Sequence, residues 1–256
     1  MKPEASLDFT GRKFMVTGGA NGIGWATIIR FLSGGASVAC LDNNAAALEA
    51  IASKAGERLL PIHVDVTDTV ALNAAVEKAA ETFGGLDGVV NAAGVDLQAG
   101  VETMEDAAWE RLIAVNLTGP MKVCRAAIAH LRQAGGGTIV NLSSGAGLRP
   151  IENRSAYSAS KAGLQMFSKA LALELSGNGI RVNVVCPGAV DTPLFRSGIP
   201  GGEEGEKELQ SIRARYALAR IAEPDEIAAG VAWLSSPESS YVTGVILAID
   251  GGRTFH

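Results

Sequence analysis

A tyrosine and a lysine stand four residues apart in the segment YSASK, at Tyr157 and Lys161. On a helix this spacing places the two side chains on one face, about one turn apart. A free tyrosine has a pKa of about 10, and a nearby cation stabilises the phenolate and lowers that pKa. A tyrosine tuned in this way can exchange a proton with a substrate oxygen. The same pair can be an ordinary surface contact, so its meaning depends on its surroundings.

A glycine-rich segment lies between the first predicted strand and the first predicted helix. Its glycines are Gly18, Gly22 and Gly24, in the pattern G-x-x-x-G-x-G. Glycine allows a tight turn and lets a pyrophosphate approach the backbone, and the N-terminus of the following helix offers free N–H groups to phosphate. The segment therefore predicts a dinucleotide site, although many such turns only reverse the chain.

An acidic residue ends the second predicted strand, 18 residues after Gly24. An acid about 20 residues beyond such a turn is placed to bond the hydroxyls of an adenosine ribose. The charge of Asp42 would repel a 2′-phosphate, and the two asparagines after it bring no cation, so the sequence favours NAD over NADP. Asp42 can also be interpreted as a strand end or helix cap. Asp65 and Val66, after the third strand, either flank the adenine or form a turn.

Short apolar strands alternate with alanine-rich helices along most of the chain. Strands are predicted at 13–17, 37–42, 60–64, 86–91, 138–142, 181–186 and 245–249. Helices are predicted at 22–33, 45–55, 69–83, 105–117, 121–133, 155–176, 203–214 and 224–234. This alternation is typical of a doubly wound, mostly parallel α/β sheet flanked by helices, the Rossmann fold, here as a single domain over residues 1–256.

Polar or glycine residues follow five of these strands. They are the glycine turn, Asp42, Asn91, Ser144 and the Pro187-Gly188 pair. Parallel strands end at one edge of a sheet, and open α/β sheets bind ligands outside that edge. The sequence therefore places all five features around one crevice, beside Tyr157 and Lys161.

Composition excludes several classes of protein. Lys plus Arg total 22 and Asp plus Glu 27, for a net charge of −5, with no basic cluster for nucleic acid. Three histidines and three cysteines lie far apart without metal-ligand spacing, so no metal site is expected. Scattered cysteines in odd number fit reduced thiols in the cytoplasm. No apolar run reaches the roughly 18 residues of a membrane span.

The order of motifs resembles that of the short-chain dehydrogenases/reductases. The matching segments are TGGANGIG at 17–24, NAAG at 91–94, VNLTG around Asn116, NLSS at 141–144, YSASK at 157–161, PGAVDTP at 187–193 and DGG at 250–252. They cover nearly the whole chain. The resemblance implies an oxidoreductase that transfers a hydride between NAD(H) and a secondary alcohol or ketone, with Tyr157 as general acid/base.

The resemblance also implies roles for four catalytic residues, Asn116, Ser144, Tyr157 and Lys161. Lys161 would bond the nicotinamide ribose and lower the pKa of Tyr157. Ser144, with Ser143 as its rival, would hold the substrate oxygen. Asn116 would hold a water that links Lys161 to solvent, or would merely bend or cap its helix.

Further contacts are expected along both ligands. The cofactor contacts implied are Gly18, Asn21, Gly22, Ile23, Gly24, Asp42, Asp65, Val66, Asn91, Ala92, Gly94, Tyr157, Lys161, Pro187, Gly188, Val190 and Thr192. Asn91 would support the cofactor ribose or the central sheet, and Thr192 would contact the carboxamide or serve as a loop hydroxyl. The substrate would contact Ser144, Ala146 and Tyr157 beneath a mobile lid at about 194–216. Arg149 or Arg154 would recognise a carboxylate or phosphate on it.

Two other functions stay open at this point. They are an NADPH-dependent 3-oxoacyl thioester reductase and a non-redox nucleotide-binding protein on the same scaffold. In each case the expected partner is a small molecule, which for the enzyme is an alcohol or ketone. Neither nucleic acid nor a membrane is expected as a partner. The family implies a homotetramer, or a homodimer, in the cytoplasm.

Overall fold

The computed structural model describes residues 7–52 and 56–254. Within them, seven parallel strands form one sheet in the order β3-β2-β1-β4-β5-β6-β7. The strands are β1 Lys13–Thr17, β2 Ser37–Asp42, β3 Leu59–His63, β4 Gly88–Asn91, β5 Gly137–Leu142, β6 Ile180–Pro187 and β7 Ile246–Ile249. Strand order reverses between β1 and β4, which confirms the predicted doubly wound Rossmann fold.

Helices cover both faces of this sheet. They are α1 Gly22–Ser33, α2 Ala45–Ala52, α3 Thr69–Phe83, α4 Asp106–Ile113, α5 Gly119–Gln133, α6 Ser155–Leu175, α7 Pro193–Arg196, α8 Gly202–Arg213 and α9 Pro224–Ser235. One core joins the sheet to α3, α5 and α6, and the other joins it to α1, α2 and α9. Successive residues of β1 alternate between them: Phe14 and Val16 enter one core and Met15 the other. Burial on both faces explains why the strands show no polar alternation.

Most element bounds fall within one or two residues of the predicted ones, with two differences. The chain was predicted to leave the helical conformation between residues 117 and 121, but a π-helical turn at Ala114–Thr118 joins α4 to α5 without a break. Pro120 lies in the first turn of α5, where a missing N–H is tolerated. Helix α7 was not predicted because its four residues are too few to show a period. The predicted end of α2, at residues 53–55, lies outside the described residues.

The joined helix from Asp106 to Gln133 is long and apolar enough, by length and composition, to cross a membrane, although the sequence contains no uninterrupted apolar run of that length. Leu112, Val123 and Leu131 on this helix are buried, and Val123 and Leu131 belong to the core beneath the sheet. A core helix passes the same test of length and hydropathy, and this packing is typical of one.

Candidate active site

The turn after β1 folds in a way that only glycine permits at two positions. A Cβ on Gly24 would stand 2.1 Å from the carbonyl oxygen of Gly18, and a Cβ on Gly18 would stand 2.6 Å from the backbone of Ala93. Gly18 also has a φ of 63°, in the left-handed region. The turn therefore packs directly on the segment after β4, and α1 starts against it.

The N-terminus of α1 has free hydrogen-bond donors. Asn21 precedes the helix, but its side chain caps no backbone N–H, and the first turn contains no acidic residue. Uncapped N–H groups at the positive end of a helix dipole suit a phosphate group. This end of α1 therefore fits the pyrophosphate of a dinucleotide.

A cleft of about 360 Å³ opens beside this turn. Eleven of the expected cofactor contacts line it: Gly18, Asn21, Gly22, Ile23, Gly24, Asp42, Asp65, Val66, Ala92, Gly94 and Thr192. Strand ends β1 to β4 contribute to its walls, as expected for a crevice at the carboxyl edge of the sheet.

Asp42 joins the end of β2 to the glycine turn. Its carboxylate accepts hydrogen bonds from the backbone N–H of Ala20 at 3.0 Å and of Asn44 at 2.9 Å. It lines the cleft as well, so its position is compatible both with the ribose contact and with the structural role that the sequence left open.

A single basic residue is among those lining this cleft, and it was not predicted from the sequence. Arg111, on α4, forms an ion pair with Asp65 at 3.3 Å. Burial acts to raise the pKa of Asp65, but hydrogen bonds from Thr67 and Arg111 hold that pKa below its ordinary value. The charge of Arg111 is therefore already matched by a neighbouring carboxylate.

Asn91 lies away from the cleft. It is 2% exposed, and its side-chain amide donates to Asn141 Oδ1 at 2.8 Å and to Cys124 Sγ at 3.5 Å. Of the two roles considered for Asn91, this placement matches support of the central sheet.

A second cleft, of about 370 Å³, adjoins the first. The two share Ile23, Thr192 and Leu194. All three expected substrate contacts, Ser144, Ala146 and Tyr157, line the second cleft. Three further expected cofactor contacts, Pro187, Gly188 and Val190, line it too, and so does Thr192, which lines both clefts. Thr192 Oγ1 also caps α7 by accepting from the N–H of Phe195 at 3.2 Å.

Ser144 and Tyr157 meet in this second cleft. Burial raises the pKa of Tyr157, and the Ser144 hydroxyl, which lies beside the Tyr157 hydroxyl, partly opposes that increase. Ser143 is buried, and its hydroxyl donates to the carbonyl of Lys161 at 2.9 Å. Between the two serines, Ser144 is the one beside the tyrosine.

Known proteins match this chain over nearly its whole length. A family model described as enoyl-(acyl carrier protein) reductase matches residues 18–254. The chain is 39% identical over 249 residues to cis-4-hydroxycyclohexanecarboxylate dehydrogenase of Sinomonas cyclohexanicum, covering 96% of this chain and 98% of that protein. It is 36% identical to 3-oxoacyl-[acyl-carrier-protein] reductase of Thermotoga maritima, with 94% and 97% covered. Levodione reductase superposes with a TM-score of 0.91 at 32% identity, over 96% of this chain and 98% of that one.

The chain belongs to the short-chain dehydrogenase/reductase family. It is therefore an oxidoreductase that uses a nicotinamide cofactor on the alcohol or ketone group of a small molecule. The resemblance found in the motifs is confirmed.

The electrostatics of Tyr157 differ from the prediction for this short-chain dehydrogenase/reductase. Burial raises the pKa of Tyr157 to about 12, partly opposed by Ser144, and burial lowers the pKa of Lys161 to about 8. Lys161 Nζ lies 5.7 Å from the centre of the tyrosine ring and donates to the Leu142 carbonyl at 3.0 Å. The net shift of the Tyr157 pKa is therefore upward because desolvation dominates it, and the lowering of that pKa by Lys161 stays a prediction.

Asn116 lies inside the π-helical turn and is fully buried. Its side-chain oxygen accepts from the N–H of Val95 at 2.9 Å, and its amide donates to the carbonyl of Val95 at 2.8 Å. A Cβ on Gly94 would stand 3.5 Å from Asn116 Oδ1 and 3.6 Å from Lys161 Nζ, so Gly94 lies between them. The side chain of Asn116 thus holds the segment after β4, and the predicted water relay stays a prediction.

A buried glutamine, Gln165, lies behind the two serines and was not predicted from the sequence. Gln165 Nε2 donates to Ser143 Oγ at 3.0 Å, to the Ser144 carbonyl at 3.3 Å and to Cys186 Sγ at 3.3 Å. Its place one helical turn after Lys161 is the signal that could have identified it. Gln165 ties the loop that carries Ser144 to α6.

Neither arginine predicted to recognise an anion presents an uncompensated charge to the second cleft, because Arg149 is not among the residues that line it and Arg154 is ion-paired. Arg154 forms an ion pair with Asp96, and Arg149 donates to the carbonyl of Arg253 at 3.2 Å. If an anionic substrate binds in the second cleft, another cationic residue must interact with it.

Proposed function

We propose that this chain is an NAD-dependent dehydrogenase that interconverts a secondary alcohol and its ketone, with Tyr157 as general acid/base. The observation that carries the proposal is the contact of Ser144 with Tyr157 in a cleft adjoining the glycine turn. The 39% identity to cis-4-hydroxycyclohexanecarboxylate dehydrogenase supports a small cyclic alcohol as substrate.

The cofactor would be held by backbone and side chains of the first cleft. The free N–H groups at the start of α1 would bind its pyrophosphate, and Asp42 its adenosine ribose. The preference for NAD is supported by the negative charge of Asp42 and by Arg111, the one basic residue lining this cleft, being paired with Asp65. When bound, the nicotinamide supplies the carbon that accepts or donates the hydride.

Three side chains would handle the substrate proton. Ser144 Oγ accepts from the N–H of Ala146 at 3.1 Å, so its own O–H is left to donate to a substrate oxygen. Tyr157 would take the alcohol proton in oxidation as the phenolate and would donate a proton in reduction as the phenol. With its pKa raised to about 12 the tyrosine is protonated at neutral pH, which suits the donation of a proton to a ketone. Lys161 donates to Leu142 and has further N–H groups for a ribose.

A second candidate is the reduction of 3-oxoacyl thioesters with NADPH, which the Thermotoga maritima relative supports. A non-redox role is disfavoured because Ser144, Tyr157 and Lys161 are all present. Absorbance at 340 nm decides among the three. NAD and NADP are each tested at equal concentration with cyclic alcohols, polyols, hydroxycyclohexanecarboxylates and a 3-hydroxyacyl thioester. Turnover of a secondary alcohol with NAD is the expected result, and NADP-dependent turnover of the thioester alone would favour the second candidate.

The setting of the enzyme forms part of the same proposal. Residues 194–216, with α7 and α8, would form a mobile lid over a single domain of residues 1–256. Exposed apolar side chains on α4 and α6, Trp109, Met166 and Leu173, support assembly into a homotetramer, or a homodimer, which light scattering would test. The three cysteines are buried free thiols, which fits a cytoplasmic enzyme.

A further inference from the structure

Among the residues that the structure describes, the lining of the substrate cleft includes one buried charge with no described partner of opposite sign. Its charged lining residues are Asp96, Glu152, Arg154, Glu208, Arg215 and Arg253. Asp96 and Arg154 neutralise each other, while Glu152 and Arg215 are exposed to solvent and Glu208 is half-exposed on α8. Arg253 is 8% exposed, which sets it apart from the rest.

Arg253 forms no ion pair with any described carboxylate. The neighbouring Asp250 carboxylate is engaged by the N–H groups of Gly252 at 3.0 Å and Thr254 at 2.9 Å and by Thr254 Oγ1 at 2.6 Å. The guanidinium lies beside the Tyr216 hydroxyl and acts to lower its pKa, against the larger effect of burial. A guanidinium has five N–H donors, so one phenol leaves most of them for a ligand.

The backbone around Arg253 is held firmly. Arg253 N–H donates to the Asp250 carbonyl at 3.2 Å, and its own carbonyl accepts from Arg149 at 3.2 Å. A Cβ on Gly145 would stand 3.5 Å from the methyl carbon of Thr254, so this turn packs against the loop that follows Ser144. The buried charge is therefore fixed within the same cleft as the reacting groups.

We propose that Arg253 binds a carboxylate of the substrate while Ser144 and Tyr157 contact its alcohol or ketone oxygen. The substrate class is then a small hydroxy acid or oxo acid, and the inference rests on the proposed function. An isolated buried charge is unfavourable unless a ligand compensates it. The planar fork of a guanidinium matches the two oxygens of a carboxylate, and a cleft of about 370 Å³ lies in the range of small-molecule sites.

Binding without turnover tests the anion site separately from the reaction. Calorimetry measures cyclohexanecarboxylate, cyclohexanecarboxamide and cyclohexanesulfonate on the full chain, with and without NADH. The carboxylate is expected to bind at least tenfold more tightly than the uncharged amide, and this difference should vanish in Arg253→Gln. Equal binding of acid and amide by the wild type would overturn the proposal, and tighter binding of the sulfonate would overturn the choice of carboxylate.

Turnover then connects the site to the reaction. For 4-hydroxycyclohexanecarboxylate, Arg253→Gln should lower kcat/KM about tenfold to a hundredfold, mainly through KM, while its methyl ester should be unaffected. Arg253→Lys should lose less, and the matched control Arg215→Gln, an exposed arginine of the same cleft, should keep the wild-type ratio of acid to ester. Equal losses for acid and ester, or a change of oligomer mass in light scattering, would assign Arg253 a structural role instead.

If no alcohol is oxidised by the wild type but calorimetry still shows the acid preference, the proposed function fails while the anion site stands.

Discussion

The two adjoining clefts are built from different kinds of sequence. One wall of the first cleft is a short continuous segment, the glycine turn, where added Cβ atoms on Gly18 and Gly24 would stand 2.6 and 2.1 Å from backbone atoms. The second collects side chains from distant positions, among them Asp96, Ser144 and Arg253. Its shape depends on how loops after β4, β5, β6 and β7 come together.

This difference explains why one ligand is easier to infer than the other. A pyrophosphate is bound by backbone groups, so the sequence must meet a strict local condition that is visible as a glycine pattern. A substrate is recognised by side chains on variable loops, and the same residues can pair with each other instead, as Arg154 does with Asp96. Variants in the two clefts should therefore differ in whether they change NADH affinity or turnover.

Tyr157→Phe should remove most turnover and leave the first cleft intact. General acid–base catalysis typically contributes about 10²- to 10⁴-fold, so kcat should fall by about that factor with unchanged NADH affinity. The measurement is absorbance at 340 nm together with NADH titration. Tyr241→Phe, at a fully exposed tyrosine, is the control, and a kcat of Tyr157→Phe close to that of the wild type would refute the role of the tyrosine.

Gly24→Ala should weaken NADH binding, in contrast to Tyr157→Phe, which should lower kcat and leave NADH affinity unchanged. Its Cβ would stand 2.1 Å from the Gly18 carbonyl, and overpacking of this kind costs about 1–3 kcal/mol. NADH affinity and melting temperature should both fall. Gly177→Ala is the matched control, because nothing lies within 4 Å of its added Cβ. Unchanged NADH affinity in Gly24→Ala would mean that the turn does not contact the cofactor.

The same contrast determines what could be predicted from sequence. Strands buried on both faces, such as β6, have mostly apolar sequences without alternation, and the alternation of strands with helices predicted a parallel sheet through βαβ crossovers. The π-helical turn at Ala114–Thr118 was not predicted, because such a turn has no sequence period of its own. The pKa of Tyr157 was predicted to fall because the i+4 spacing reveals the lysine but not the burial. Arg253 has no ion pair with a described carboxylate because Asp96 pairs with Arg154 and Asp250 accepts hydrogen bonds from Gly252 and Thr254. These contacts are visible only in the folded chain.

Gln165→Leu sharpens the comparison inside the second cleft. Gln165 is 5% exposed and contacts Ser143, Ser144 and Cys186 through one amide nitrogen, so it is a positioning residue for the serine loop. We expect kcat to fall about tenfold with unchanged NADH affinity, since small displacements of a reacting group reduce rate strongly.

A double-mutant cycle distinguishes positioning by Gln165 from a general loss of stability. If the glutamine acts through Ser144, adding Gln165→Leu to Ser144→Ala should cause little further loss of kcat. Additive losses, with a parallel fall in melting temperature, would show that Gln165 only stabilises the fold.

Asp42 variants test the preference of the first cleft for NAD over NADP. Their expected effect on kcat/KM is the smallest of those predicted. Asp42→Asn removes the charge but keeps an oxygen to accept from Ala20 or Asn44, whereas Asp42→Ala loses both hydrogen bonds. Loss of repulsion toward the 2′-phosphate should narrow the NAD to NADP ratio of kcat/KM several-fold in both variants, because one full charge is removed. Only Asp42→Ala should also lower the melting temperature, since the glycine turn loses its tie to β2. If the NAD to NADP ratio of kcat/KM is unchanged in Asp42→Asn, the Asp42 carboxylate only stabilises the glycine turn. Other residues of the first cleft would then select the cofactor.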